Sequence, residues 1–188
     1  MPTFDKGSAI ESMEQEISAQ EYAEAFYAAQ DSLSLMHKKE IKAGLCVSAA
    51  IIIGSFIPFY RTHFISFWLP AGGITIALLL AVLFYFVQPK DIKRWAVKLY
   101  KHNLLLSLPE KITVYRDCVI IQNSYEEILE YWTDFWKCIE TRSFFAAIGG
   151  RERKLLIIKK QGLTNQQIEK LSAHFEDAFA SRYQKSGR

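Results

Sequence analysis

The chain has 188 residues, with 23 Lys and Arg against 20 Asp and Glu and a hydrophobic fraction of 50%. That length suits one ordinary domain, or a membrane segment with a small domain, and composition alone does not decide between them. Three cysteines, Cys46, Cys118 and Cys138, with no C-x-x-C spacing, argue against a disulfide framework or a cysteine metal site and fit small apolar packing residues.

Residues 1–36 carry seven carboxylates against Lys6, a net charge of −6. The acidic segment extends over 1–42. Ile10 to Ile17 reads as a strand, with Met13, Gln15 and Ile17 alternating, or as a helical turn. Ser18 followed by Glu21 has the form of a capping box ahead of "AQEYAEAFYAAQ", which predicts a helix from about residue 18.

Two uncharged runs follow, 43–60 and 64–87. As helices they would be about 27 and 36 Å long, against a hydrocarbon core of about 30 Å. Neither shows a polar stripe, so the pair reads as a transmembrane hairpin over 43–87. Lys38, Lys39 and Lys42 precede it, and Lys90, Lys93, Arg94, Lys98 and Lys101 follow, while the loop between holds only Arg61 and His63. That asymmetry predicts a multi-pass membrane protein with both termini cytoplasmic. Within the runs, Cys46, Ala50 and Gly54, and Gly73, Ala77 and Ala81, recur every four residues, a spacing that lets helices approach closely, within one hairpin or in a homo-oligomer.

Pro89 opens a basic juxtamembrane helix over 89–103. Its Lys90, Lys93, Arg94, Lys98 and Lys101 are candidates for lipid-headgroup contact. Residues 89–188 hold 18 Lys or Arg and 12 Asp or Glu, a net charge of +6. From 104 onward the period changes. "KITVYRDCVIIQN" reads as a hairpin, "YEEILEYW" and "FWKCIETRSFFAAI" continue as strands, and Gly149–Glu152 is a turn before "KLLIIK". Thr164 is the predicted N-cap of a closing helix over about 164–182, with Ile168, Leu171, Phe175 and Phe179 on its buried face. The fold class expected is a membrane α-helical hairpin plus an α+β cytoplasmic domain over 104–188, with a small antiparallel sheet or partial barrel of the pleckstrin-homology (PH) type.

The stretch Trp132 to Thr141, "WTDFWKCIET", resembles the W-x-D-[IF]-x-K-[IV]-x-E-T signature of the YcxB-like family. "LLIIKKQGL" lies where that family has a strand ending in an I-P-K-R-A-F-like run, although Lys159 stands for its proline and Gln161-Gly162 for its R-A pair. The resemblance implies two helices in a bacterial inner (cytoplasmic) membrane followed by a PH-like domain. It also marks Trp132, Asp134, Phe135, Lys137, Glu140, Thr141 and Lys160 as motif residues with mainly structural roles. Asp134 can cap a bend, and the two tryptophans suit a sheet face covered by a helix.

No catalytic set is evident. His37, His63, His102 and His174 are scattered, and no phosphate-binding, dinucleotide or nucleophile-elbow string occurs. The sequence therefore predicts a non-enzymatic protein without cofactor or metal, presenting a binding or regulatory domain. Its expected partners are membrane lipids and another protein, not nucleic acid. An accessory subunit interacting through the hairpin is the other reading.

Overall fold

The computed structural model describes residues 8–33, 73 and 87–186. The chain divides into two compact units, Met1–Ala29 with Trp95–Arg188, and Gln30–Arg94.

The first unit is built on two four-stranded sheets. Sheet A has the order β1-β2-β3-β4, with β1 Glu11–Gln15, β2 Glu110–Val114, β3 Cys118–Gln122 and β4 Glu127–Tyr131, all antiparallel. Sheet B has the order β7-β6-β5-β8, with β5 Lys137–Glu140, β6 Phe144–Ile148, β7 Leu155–Lys159 and β8 Tyr183–Lys185. Here β8 runs parallel to β5 and the other pairs are antiparallel. Three α-helices are described: α1 Ala19–Leu33, α2 Gln88–His102 and α3 Asn165–Phe179.

The strand period explains the layering. Successive residues of a strand face opposite sides. On sheet A, Ile112 pairs with Ile121 and Val114 with Val119, and all four are buried in the main core. From sheet B, Cys138, Phe145, Ala147, Leu156 and Ile158 enter the same core, and Leu171, Phe175 and Phe179 of α3 close it. The alternate residues of sheet B, Phe144, Ala146 and Ile157, face a second core with Tyr22, Ala23 and Ala25 of α1 and Ala96 of α2. Strand β6, "FFAAI", is thus covered on both faces and buried along its whole length, which is why it carries no polar residue. Small alanines on α1 let its axis lie close to the sheet. Tyr22 stacks 5.8 Å from Tyr100, and Phe26 meets Trp95 at 5.2 Å.

Both expected helix starts carry their caps. Glu21 N–H donates to Ser18 Oγ at 3.3 Å while Ser18 N–H donates to Glu21 Oε2 at 2.8 Å. Thr164 and Gln167 form the same reciprocal box at α3. Residues 11–15 form a strand, and that strand is an integral part of sheet A. The sheet is therefore not complete within 104–188.

Among the described residues, no helix is long and apolar enough to cross a membrane. This overturns the expected membrane hairpin and the multi-pass inner-membrane placement with cytoplasmic termini. Instead of a hairpin with a PH-like partial barrel, the described chain is an α+β fold of two sheets and three helices. None of the three described helices coincides with the expected spans. Each of the three has 15 residues, about 22 Å, and carries charged side chains along an amphipathic surface. The run 43–60 and residues 64–72 and 74–86 of the second run, with Ala50, Gly54 and Ala77, lie outside the described residues; Gly73 is helical. In the second unit, Lys90, Lys93 and Arg94 are exposed, and Arg94 forms an ion pair with Asp91 at 3.6 Å.

Candidate functional site: a cleft beside β7 and α1

The end of the motif stretch builds one wall of a cleft. After Glu140 the chain turns, and Thr141 holds the turn. Its hydroxyl oxygen accepts Ser143 N–H at 3.3 Å and Phe144 N–H at 3.1 Å, and Thr141 N–H donates to Phe144 O at 2.9 Å. A hydroxyl that accepts backbone N–H groups two and three residues ahead is a standard way to fix such a turn. The effect is to hold Arg142 and Ser143 outward.

The neighbouring turn after β7 is fixed in turn by Lys160 and Gly162. Lys160 N–H donates to Ser143 O at 2.9 Å, and Leu163 N–H donates to Lys160 O at 3.1 Å. Gly162 has φ +92°, a conformation that costs an L side chain about 1–2 kcal/mol. The Lys160 ammonium lies 2.7 Å from both Glu140 Oε1 and Thr141 O, and 4.5 Å from the Phe145 ring centroid. Tyr183 O–H donates to the other oxygen of Glu140. Burial pushes the Glu140 pKa up, but the hydrogen bonds from Lys160, Tyr183 and Ser172 outweigh it and hold the carboxyl below its ordinary range.

On the other wall stands the first part of α1. Lys159 Nζ reaches Glu21 Oε1 at 2.6 Å and donates to Glu16 O at 3.1 Å. Burial raises the Glu21 pKa, but the bonds from Lys159 and Ser18 more than offset this, so the carboxyl titrates below normal. Between the walls is a cleft of about 370 Å³. Its apolar floor comes from Phe144, Ile157 and Ile168, and its rim from Glu21, Glu24, Arg142, Ser143, Lys159, Lys160 and Gln161. Lys159 pairs with Glu21 and Lys160 with Glu140, whereas Arg142 and Glu24, both exposed, form no ion pair among the described residues.

A second polar group ties the two sheets together away from this cleft. Glu130 sits at a core-facing position of β4, opposite Val119, and is 1% exposed. Its Oε1 accepts the backbone N–H groups of Glu152 and Arg153, the latter at 2.9 Å. A Cβ at Gly150 would collide with Arg153 O and with Glu130 Oε2, so only glycine fits there. Arg153 pairs with buried Glu110 at 3.0 Å and with Glu126 at 3.6 Å. Burial raises the Glu110 pKa, and Arg153 only partly offsets this. No group of three or more His, Cys, Asp or Glu among the described residues could hold a metal ion.

The motif residues fall into two groups. Trp132 and Phe135 are core residues. The Trp132 indole N–H donates to Tyr115 O at 3.0 Å, and its ring packs edge-on to Phe175 at 5.2 Å. Glu140, Thr141 and Lys160 converge beneath the cleft. Asp134 lies in a 3-10 turn, Trp132–Asp134, that no side-chain cap holds. The carboxylate that caps a turn is Glu130 on β4, and the turn it caps is the one after β6. Lys137 is half-buried on β5. Trp136, expected under a helix, is 66% exposed and lies against Gly149. Lys98 and Lys101 are exposed on α2 and do not line the cleft. The sequence reading missed Arg142, Glu24 and Glu130. Only the T-R-S-F turn pattern hinted at the first.

No family model, no curated protein and no solved structure matches the chain. The YcxB-like likeness therefore rests on residues 132–141 and 155–163 alone.

Proposed function

We propose that the chain is a non-enzymatic binding module whose working surface is the cleft between α1, the β5–β6 turn and the end of β7. The observation that carries this reading is the state of the charges around it. Two ion pairs lock the walls, and two opposite charges, Arg142 and Glu24, are left over at the rim of an apolar-floored cleft. An apolar floor with a few convergent polar groups is the usual form of a small-ligand site.

The reactive side chains support binding over catalysis. The Cys138 thiol is buried and its pKa is pushed far up, first by burial and then by Glu140, which suppresses the thiolate. Burial and Glu140 likewise push up the Tyr183 phenol. Neither is poised to act as a nucleophile or base near neutrality. Charge balance at the rim favours a small ligand over nucleic acid, which needs a run of free cations to displace counterions.

The test is a titration of the full chain with a library of small metabolites and peptides, followed by amide NMR shifts. Ligand-induced shifts should concentrate at Ser143, Gln161 and Gly162. Shifts concentrated elsewhere, for example around exposed Trp136, would overturn the assignment of the working surface.

A further inference from the structure

We infer that the cleft selects a short zwitterion, a free apolar amino acid or dipeptide, with its carboxylate on Arg142 and its ammonium on Glu24. This rests on the cleft being the working surface. The walls bear opposite free charges: Glu24 belongs to α1 and Arg142 to the β5–β6 turn. A lone anion such as phosphate would find only one uncommitted cation, because Lys159 and Lys160 already serve Glu21 and Glu140. A lone cation at Glu24 would leave the guanidinium of Arg142 without a counter-charge on the same rim. A ligand carrying both charges satisfies both walls at once. The planar fork of Arg142 matches a carboxylate in two parallel hydrogen bonds.

Size and floor agree with this. Ligand sites span about 300–1,000 Å³, so 370 Å³ lies at the small end, suited to one or two residues. Phe144 and Ile157 give an aliphatic side chain an apolar bed. The rim amide of Gln161 and the hydroxyl of Ser143 stand ready for a peptide group.

The experiment uses the full chain and four probes: Leu-Leu, N-acetyl-Leu-Leu, Leu-Leu-amide and inorganic phosphate. Leu-Leu should shift the Ser143 and Gln161 amides, and either cap should weaken binding about tenfold, the worth of one charge-assisted contact. Arg142→Gln should erase the difference between Leu-Leu and its amide but keep that against the acetyl form. Glu24→Gln should do the converse. Both side chains are exposed, so an unchanged unfolding midpoint checks that each variant is folded. Capped and free peptides binding alike would overturn the zwitterion assignment, as would phosphate binding there while Leu-Leu does not. In either case the cleft would still be the binding surface. Silence of the cleft amides toward these four probes would overturn this inference, and silence toward the whole library would overturn the binding-surface reading as well.

Discussion

Lys160 Nζ lies 2.7 Å from Glu140 Oε1, joining the end of β5 to the residue that follows β7. Both side chains are largely withdrawn from water, at 11% and 14% exposure, so each depends on the other to offset its desolvation. Lys160→Met should destabilise the fold by about 3 kcal/mol, since it strands a carboxylate under the cleft. Glu140→Gln keeps an acceptor and should cost less. The double variant should cost less than the sum, with a coupling of about 1–3 kcal/mol in denaturant unfolding. Strict additivity would mean that the two side chains do not support each other.

Gln15 performs a task that backbone pairing performs elsewhere in the molecule. Its Nε2 donates to Ile157 O at 2.6 Å and its Oε1 accepts Lys159 N–H at 2.9 Å, so one side chain covers the edge of β7 and links β1 of sheet A to sheet B. It also donates to buried Glu110 at 3.1 Å. Gln15→Leu keeps the bulk and removes all three bonds. Leaving two backbone groups without partners should cost about 1–3 kcal/mol. Gln15→Glu should be worse near neutral pH, where it sets a second carboxylate beside Glu110, and should recover on acidification. A neutral Gln15→Leu would show that the two sheets are held by packing alone.

The periodic features were legible in the sequence and the long-range polar ones were not. Ser18/Glu21 and Thr164 announce their helices because capping is local, and Leu171, Phe175 and Phe179 announce their face because a helix repeats. Gln15 and Glu130 look like ordinary surface residues in "ESMEQ" and "EILEY". Their partners lie 142 and 23 residues away, where no pattern connects them. The strand β8 is three residues long and pairs parallel to β5, so it offers no alternation to read. The expected membrane hairpin rested on the uncharged runs, their basic flanks and the family likeness, and no described helix is long and apolar enough to cross a membrane.

His174 should make stability fall on acidification. Its ring packs 5.8 Å from Trp132, and Nε2 is buried with no hydrogen-bond partner among the described residues. Burial lowers its pKa below 6.5, although Asp177, Asp117 and a bond to the Tyr115 backbone pull the other way. The unfolded chain therefore holds this proton more tightly than the folded one. The contribution is fully present above pH about 6.5 and is lost as pH falls through the lower folded value. Unfolding midpoints should decline on acidification across that window, ahead of the further loss expected when Glu140 takes up its proton. In His174→Gln the first decline should flatten while the second persists. An unchanged profile would place the proton uptake on another group.

The seat of β1 also sets an order of events during synthesis. Gln15 and its partner Glu110 are separated by 95 positions. At about 5–20 residues per second, a ribosome needs roughly 5–20 s to add that stretch. For all that time β1 has no β2 to pair with. Its composition, "ESMEQ", suits such a wait, because Glu11 and Glu14 discourage an unpaired edge from joining a neighbouring chain. The nascent protein thus carries a charged, provisional strand that becomes a sheet edge only once the residue-110 region has left the exit tunnel.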